Sequence, residues 1–407
     1  MKAHAAAPVD VAIVGGGMVG ASLALALAGT NLRVVLIEAV PVDGARQPSF
    51  DDRTTALGNG SRRIFEVLGV WRHLRAQAGP VREIRVSDAG RFGAARLCAA
   101  EQGLEALGYV VSNRHLGAAL WQELAQRPQL LVRNPARLLE ARLERDGARL
   151  WVRGAAETEE FTACVVVAAD GAQSLVRGAA GIAAMVEDYQ QVAVVAHVAT
   201  DRPASGVAYE RFAPTGPLAV LPLVDGRYTV VWTLSPEPAA QVLALDDAAF
   251  IDELQCSFGW RIGRIQGAGA RGSYPLSLSR TESMAGRRAV LVGNAAQALH
   301  PVAGQGFNLG LRDAALLAEM LAPSPDPGDP GLLEEFERRR ATDRRGMIDF
   351  TDGLVKLFAS ERPGIALLRN IGLTLFDLAP AAKDALARLS WGFGGDTPRL
   401  MRGLPVA

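Results

Sequence analysis

The sequence predicts an α/β protein with a nucleotide-binding domain built on a parallel sheet, an inserted antiparallel sheet and a C-terminal helical segment. Three observations support this fold class. A glycine-rich turn follows a short apolar run near the N-terminus, alternating strands fill the middle of the chain, and a helical pattern begins after about residue 341. The predicted segments are 1–80, 111–182 and 285–340 for the nucleotide-binding domain, 81–110 and 183–284 for the inserted substrate domain, and 341–407 for the helical region.

The composition is that of a globular chain and argues against several classes of protein. The 407 residues are 49% hydrophobic and 21% charged, enough for a large core. Forty-three Lys and Arg balance forty-three Asp and Glu, so the chain lacks the basic excess of a nucleic-acid-binding protein. The three cysteines form no C-x-x-C pair, and we expect neither a disulfide framework nor a metal site. Since no apolar run reaches about 18 residues, we expect a cytoplasmic protein.

Residues 9–38 have the pattern of one βαβ unit. The apolar run Val9–Val14 stops at three glycines and leads into Ser22–Ala28, which consists largely of helix formers. A second apolar run, Val34–Ile37, is closed by Glu38. The order of strand, turn, helix and strand is that of a Rossmann-like domain.

The turn of this unit carries the motif Gly15-x-Gly17-x-x-Gly20. In such a turn the first glycine permits the tight bend, the second lets the backbone approach a pyrophosphate, and the third lets helix and strand pack closely. Glu38, 18 positions beyond Gly20, falls where a carboxylate accepts hydrogen bonds from ribose hydroxyls. The motif predicts an adenine dinucleotide, and the alternative is a glycine turn that binds nothing.

A second glycine-rich stretch, GNAAQALHPVAGQGFNLGLRD over residues 293–313, follows the apolar run Ala289–Val292. Gly304, Gly306 and Gly310 surround the start of a predicted helix, Asn308–Met320. A helix N-terminus offers backbone N–H groups and a positive dipole end. The isoalloxazine ring of FAD carries negative charge when reduced, and NAD has no comparable group. We therefore predict FAD, with an ordinary helix cap as the alternative.

The middle of the chain predicts an antiparallel sheet. The predicted strands are Val192–Val198, Ala208–Phe212, Leu218–Leu223 and Tyr228–Leu234. Asp225-Gly226 between the last two is a strong hairpin signal. We expect this sheet to cover the flavin ring and to form a substrate pocket. The candidate wall residues are Phe212, Leu221, Pro222 and Trp232, and core packing is the alternative for each.

Three motifs together resemble the FAD-dependent aromatic hydroxylases, a group of flavoprotein monooxygenases. They are Gly15-x-Gly17-x-x-Gly20, the segment from Asp170-Gly171 to Arg177, and Gly293–Pro301 with Gly304–Asn308. Within that group, the segments 51–57, 212–223 and 300–306 resemble the ubiquinone-biosynthesis hydroxylases of the 2-octaprenyl-6-methoxyphenol hydroxylase type. Asn294 and Gln297 replace the more usual Asp and His, so Asn294 would accept hydrogen bonds only through its amide oxygen.

The resemblance implies roles for single residues. Arg53 and Arg114 match positions that approach FAD, Asp170 and Gly171 match a loop associated with flavin and NAD(P)H, and Asn294 matches a contact to the ribityl chain. His300 matches a position beside the ring, where it would orient substrate or a water; the alternative is a packing residue. The loop expected at the flavin pyrimidine edge consists of Gly304, Gln305, Gly306, Phe307 and Asn308, the last two supplying backbone donors.

The implied activity is that of a monooxygenase acting on the aromatic ring of a polyprenylphenol in ubiquinone biosynthesis. FAD would act through a flavin hydroperoxide formed with O2, and NADPH or NADH would bind transiently, since no second dinucleotide motif is evident. The alternatives are hydroxylation at another ring position or of another phenol, a flavin reductase acting on prenyl chains, and a flavin-bearing subunit without activity.

The C-terminal region after about residue 341 has apolar residues at helical spacing, and packing against the domain is the main interpretation. The alternative is contact with another ubiquinone-biosynthesis protein or with the inner face of the cell membrane. A membrane contact suits a hydrophobic substrate, because a polyprenyl chain partitions into lipid.

Overall fold

The computed structural model describes residues 4–42, 50–213, 215–359, 363–393 and 396–406. The strands are β1 His4–Ala5, β2 Val9–Val14, β3 Val34–Ile37, β4 Thr54–Gly58, β5 Gly79–Val81, β6 Glu83–Asp88, β7 Ala94–Cys98, β8 Gly108–Ser112, β9 Leu131–Arg133, β10 Arg137–Leu143, β11 Ala148–Arg153, β12 Thr158–Ala168, β13 Ala184–Thr200, β14 Val207–Ala213, β15 Gly216–Pro222, β16 Tyr228–Leu234, β17 Ile265–Ala268, β18 Gly272–Thr281, β19 Ala285–Gly286, β20 Ala289–Leu291 and β21 Gln297–Ala298. The helices are α1 Met18–Leu27, α2 Asn59–Val67, α3 Trp71–Leu74, α4 Asn113–Leu124, α5 Leu175–Ala179, α6 Pro236–Ala244, α7 Asp247–Phe258, α8 Gly306–Leu321, α9 Pro330–Ala359, α10 Pro363–Asp377 and α11 Pro380–Ser390.

The first sheet has a parallel core in the order β9-β3-β2-β12-β20. The first half of β12 also pairs antiparallel with β11, which continues to β10. Helices α1, α4 and α8 pack around this sheet. β2 and β3 are almost entirely buried, which explains why both read as continuous apolar runs rather than as alternating strands.

The predicted βαβ unit is confirmed, with one change at the start of its helix. The strands have the predicted bounds, whereas α1 begins at Met18, because Gly17 serves as the N-cap. The second predicted helix likewise begins early, at Gly306 rather than Asn308. Glycine is a weak helix former, but in both helices the packing around the turn outweighs this low helix propensity and allows the helix to begin close to the glycines.

The second sheet has the order β21-β18-β13-β16-β15-β14-β6-β7, with β17 also paired to β13. All four predicted strands are present, and the hairpin turns through Asp225-Gly226, where Gly226 has φ 84°. The sheet is antiparallel except for β14 and β6, which run parallel. This pair brings an earlier part of the chain beside the hairpin. The predicted domain boundaries stay a prediction.

One face of the second sheet is covered by α6 and α7. Val194, Val230 and Trp232 pack there with Phe250 and Phe258. The opposite face, called here the inner face, is directed toward the first sheet. A small sheet in the order β4-β8-β5 lies between the two larger ones, where Val81 and Val110 contact Ala208.

The C-terminal helices pack on both parts of the protein. α9 lies against α8, and α10 lies against β7. In the described part of the chain, no single helix has both the length and the apolar character needed to cross a membrane. Residues 364–377 and 380–390 meet that criterion only as a pair, with a bend of 94° between them.

Candidate active site

Within the motif Gly15-x-Gly17-x-x-Gly20, glycine is required at two positions. Gly15 has φ 103°, and a Cβ there would lie 2.3 Å from the carbonyl oxygen of Ala169. A Cβ on Gly20 would lie 1.9 Å from the carbonyl oxygen of Gly15. Gly17, by contrast, has an ordinary φ of −63°. The turn thus brings the backbone of β2, α1 and the end of β12 into direct contact.

Glu38 lies at the end of β3 and joins this turn. Its Oε2 accepts a hydrogen bond from the N–H of Gly16 at 2.6 Å, and its Oε1 accepts one from Val40 at 2.7 Å. The side chain is buried. Because each carboxylate oxygen has more than one lone pair, Glu38 can fix the turn and still accept a bond from a ribose hydroxyl.

The Asp170-Gly171 loop follows β12 and lies beside the same turn. A Cβ on Gly15 would be 2.8 Å from the N–H nitrogen of Asp170. Asp170 Oδ2 accepts a hydrogen bond from Leu175, whereas its buried Oδ1 has no partner among the described residues. Burial raises the pKa of Asp170. Gly171 has φ 83°, which a turn after the strand requires.

The second glycine loop lies next to the first. A Cβ on Gly310 would be 2.8 Å from Gly293 Cα and 3.1 Å from Val19 in the first turn of α1. The N-termini of α1 and α8 are therefore side by side. The first intrahelical bonds are donated by Ala21 and Leu309, so the N–H groups before them can face a ligand.

The second glycine loop has open space beside Gly306, whereas its other residues are closely packed. A Cβ on Gly306 would meet nothing within 4 Å, whereas Gly304 has φ 59° and lies against Ala56. Phe307 stacks on Phe65, and Gln305 is buried at the N-cap of α8. Asn294, at the preceding turn, is exposed.

Asn308 has a role that the sequence did not indicate. Its Nδ2 donates to the carbonyls of Ala56 and Gly304, both at 2.8 Å. Its Oδ1 accepts from Gly58 at 2.9 Å and from Ser61 at 2.6 Å. The side chain therefore ties β4 and α2 to the loop, and only its backbone N–H is left to act as the predicted donor.

Both predicted arginines form ion pairs with a neighbouring acidic segment. Arg53 lies 2.6 Å from Asp51 and stacks over the ring of Tyr274. Arg114 lies 3.0 Å from Asp52, and its side chain is largely exposed. The Arg114 guanidinium lowers the pKa of Asp52. Arg53 thus lies where the first domain meets the inner face of the second sheet.

His300 is buried and neutral. Its Nδ1 accepts a hydrogen bond from the N–H of Val302 at 3.1 Å, so the ring proton of the neutral form is on Nε2. Burial lowers the pKa of the imidazole to about 4. Nε2 has no partner among the described residues, and the ring packs edge-on against Tyr189. His300 is thus a hydrogen-bond donor at neutral pH, not a base.

The four predicted wall residues do not form one wall, which corrects that expectation. Phe212 and Leu221 lie on the inner face, Phe212 beside Val302 and Leu221 beside Val81. Pro222 and Trp232 lie on the face that α6 and α7 cover, as the strand register requires. The sequence predicted the strands, but it gave no means of telling which face each side chain takes.

Between the rows of Phe212 and Leu221 the inner face carries a row of partly accessible side chains, and the space over this row is called here the trough. Its floor is a row of residues that are directly opposite one another on five adjacent strands, and each keeps part of its surface accessible. These residues are Val195, Val231, Ala219, Glu210 and Val86. Phe212, on one side of the row, is buried beside Val302 and Phe358, so the trough faces the second glycine loop and α9.

Unpartnered polar atoms also lie on the inner face. Gln191 Oε1, His197 Nε2 and Thr229 Oγ1 are buried without a hydrogen-bond partner in the described ranges. Such atoms normally bond to water or ligand. No role was predicted for these residues or for Glu210, because a polar residue in an apolar strand is a signal only once strand register shows that it points inward.

These features fit FAD. Two adjoining helix N-termini, the Glu38 carboxylate, the unpartnered Asp170 oxygen and the open space over Gly306 lie along one edge of the first sheet, where the carboxyl ends of its parallel strands meet. Among the described residues, no group of three or more His, Cys, Asp or Glu side chains could hold a metal ion.

Comparisons with known proteins agree with this arrangement. The model of the FAD binding domain family matches residues 8–351. The chain is 37% identical over 405 residues to the ubiquinone hydroxylase UbiL of Rhodospirillum rubrum, covering 98% of this chain and 93% of that one. It is 32% identical to the 3-demethoxyubiquinol 3-hydroxylase of Escherichia coli, covering 95% and 99%.

A solved structure extends the likeness of the fold. The p-nitrophenol 4-monooxygenase PnpA of Pseudomonas putida DLL-E4 is similar with a TM-score of 0.79 at 20% identity, covering 96% of this chain and 99% of that one. The chain therefore belongs to the FAD-dependent monooxygenases, in the family of the ubiquinone-biosynthesis hydroxylases, and its cofactor is FAD.

Proposed function

We propose that this protein hydroxylates the aromatic ring of a polyprenylphenol in ubiquinone biosynthesis, with NADPH or NADH as a transient electron donor and O2 as the source of oxygen. The observation that carries the proposal is the trough, which faces the second glycine loop and has an apolar floor with one carboxyl group. A phenol with an apolar tail matches this surface, because its hydroxyl suits the carboxyl group and its apolar part suits the apolar floor.

Different residues of the chain would bind FAD, exclude water and donate hydrogen bonds. The turn at Gly15–Gly20 and Glu38 would hold the adenosine diphosphate half of FAD, and the first turn of α8 would hold the flavin ring. When bound, FAD supplies electron transfer and the activation of O2. Phe212 and Val302 would exclude water from the flavin ring. The Nε2–H of His300 would donate a hydrogen bond to an oxygen atom of the substrate or of a water.

The test is product analysis under ¹⁸O₂ with a short-chain prenylated methoxyphenol and each nicotinamide cofactor. We expect one ¹⁸O atom in the ring and electron-donor oxidation that depends on the phenol. Product with a reduced prenyl chain and no ¹⁸O would favour the reductase alternative, and oxidation without any change in the phenol would also contradict the proposal.

A variant that narrows the trough gives a matched control. Ala219→Phe adds a ring to the floor of the trough, so we expect hydroxylation to fall while FAD content stays normal. Val224→Phe adds the same ring at an exposed position in the adjacent hairpin, and its product yield should equal that of the wild type.

We also propose that α10 contacts a lipid surface. Five apolar side chains between 40% and 73% exposed lie within about 100° of each other around this helix and its end. They are Leu367, Leu368, Ile371, Leu375 and Leu378. A hydrophobic substrate would then be collected from lipid.

Vesicle flotation tests the lipid contact. We expect the protein to float with vesicles of phosphatidylethanolamine and phosphatidylglycerol, and Leu368→Glu with Leu375→Glu to abolish flotation without loss of FAD. Equal flotation of this double variant would contradict the proposal. The exposed Phe92 is near the same helix, since Gly93 bonds to Asn370, and Phe92→Glu alone should also weaken flotation.

A further inference from the structure

Glu210 is an inward-pointing carboxyl group in the middle of β14. Its two neighbours on the strand point to the opposite face: Tyr209 packs edge-on against Phe258, and Arg211 donates a hydrogen bond to the carbonyl of Ser257. Since side chains alternate along a strand, Glu210 lies on the inner face. It is directly opposite Ala219 on one side and Val86 on the other.

The same alternation places Glu210 inside the trough. Ala208 packs against Val81 and Val110 at one end, and Phe212, about 7 Å beyond Glu210 along the strand, packs against Val302. Protein surrounds the Glu210 carboxyl group, yet the side chain keeps part of its accessible surface. Glu210 is thus desolvated but still partly accessible on the inner face.

No charged partner explains this carboxyl group. Within the described ranges, the Glu210 carboxyl group has no hydrogen bond and no ion pair, and desolvation raises its pKa to about 7. Charged groups on the elements packed nearby are engaged elsewhere. On β6, Asp88 pairs with Arg369 at 3.0 Å, and on α9, Asp352 bonds to Tyr189 and Lys356. In the second glycine-rich stretch, His300 is neutral.

We propose that Glu210 is a further catalytic residue, whose carboxylate accepts the proton of the substrate's phenol hydroxyl while the ring lies in the trough. This inference rests on the proposed function. The phenol O–H bond breaks, its electron pair stays on the phenol oxygen, and a new O–H bond forms on the carboxylate. No oxidant or reductant takes part in this step. The phenolate is richer in electrons at its ortho and para carbons, the positions that an electrophilic oxygen attacks.

The chemistry of the position supports a base rather than a structural group. A general base is most effective when it titrates near the working pH, and a phenol presents a hydroxyl donor to a carboxylate that otherwise lacks one. A structural carboxylate would be expected to have a bonded partner, because burying an unpaired charge costs stability.

The experiment compares Glu210→Gln, Glu210→Asp and the wild type over pH 6–9. We expect Glu210→Gln to keep its FAD and its thermal stability but to lose about 10²–10⁴-fold in kcat, the usual contribution of general acid–base catalysis. In the wild type, kcat/KM should rise with pH through about 7 as Glu210 loses its proton. This rise should vanish in Glu210→Gln and persist, with lower kcat, in Glu210→Asp.

The control is Glu83→Gln on β6. Glu83 is opposite Val207 and pairs with Arg85, on the face away from the trough, so its loss should change neither kcat nor the pH profile. Wild-type hydroxylation with an unchanged pH profile in Glu210→Gln would overturn the proposal for Glu210 alone.

A binding measurement keeps the two proposals distinguishable. A short-chain prenylated methoxyphenol is titrated against the oxidised holoenzyme without NAD(P)H, with flavin absorbance as the readout. Wild-type affinity should increase as pH rises through about 7, while Glu210→Gln should bind about tenfold more weakly above that pH and show no pH dependence. Absence of hydroxylated product from the wild type would contradict the proposed function; this titration would still decide whether Glu210 meets the phenol, and equal affinities would overturn that contact.

Discussion

Gly20 shows how closely the first turn is packed. A methyl group at this position would lie 1.9 Å from the carbonyl oxygen of Gly15, so Gly20→Ala forces the backbone of α1 away from β2. We expect a loss of roughly 1–3 kcal/mol in the free energy of unfolding, together with weaker FAD retention. Denaturant unfolding and the flavin released on heating measure the two effects.

The matched control is Gly29→Ala, just beyond the same helix. A Cβ at Gly29 meets nothing within 4 Å, so this variant should keep its FAD and its stability. Equal flavin content in Gly20→Ala and the wild type would contradict the role given to the turn.

His300 should make the stability of the protein depend on pH. The pKa in the folded protein is about 4, below the ordinary 6.5, so the neutral form is favoured by folding. The associated stability is complete above pH 6.5 and is lost as pH falls from 6.5 toward 4, with an upper limit of about 3 kcal/mol. His300→Gln should be less sensitive to acid than the wild type over this range, as unfolding at pH 5 and pH 7 would reveal. Identical sensitivity would mean that the imidazole keeps its ordinary pKa in the folded protein.

A buried ion pair joins α8 to α9. Arg340 lies 2.7 Å from Asp313, both side chains are almost fully buried, and Asp313 also accepts a hydrogen bond from Gln297. Asp313→Ala leaves Arg340 with only Asp343, a carboxylate that it shares with Arg312. We expect a loss of about 3–5 kcal/mol in the free energy of unfolding, measured with denaturant.

An exposed pair on α9 provides the comparison. Glu335 and Arg338 form a surface ion pair one turn apart, and surface pairs contribute little. Glu335→Ala should therefore unfold like the wild type. A small effect of Asp313→Ala would show that water reaches Arg340 when the carboxylate is removed.

For the whole molecule, the sequence was informative where local pattern determines structure. Continuous apolar runs predicted β2 and β3 because parallel strands are buried on both faces, and Asp225-Gly226 predicted the hairpin because its turn needs a positive φ. The parallel pairing of β6 with β14 depends on contacts between distant parts of the chain, which no local pattern encodes. The faces taken by Pro222, Trp232 and Glu210 follow from strand register, which had no signal in the sequence.

The arrangement of the two glycine loops is likewise a property of the whole fold. Each loop was predicted from its own segment, but their contact through Gly310, Gly293 and Val19 appears only when α1 and α8 pack together. This contact makes one continuous site of two motifs that are nearly 300 residues apart. We therefore expect the first loop to bind the adenosine diphosphate half of FAD and the second to bind the flavin ring.

The most direct measurement is calorimetric titration of the apoprotein with FAD and, separately, with ADP, for the wild type and Gly306→Val. The space beside Gly306 is open, so the valine should not disturb the fold, but it would occupy the place of the flavin ring. We predict that Gly306→Val binds FAD about tenfold more weakly, equivalent to about 1.4 kcal/mol, and binds ADP as the wild type does. Unchanged affinity for FAD, or equal losses for FAD and ADP, would contradict the division of the cofactor between the two loops.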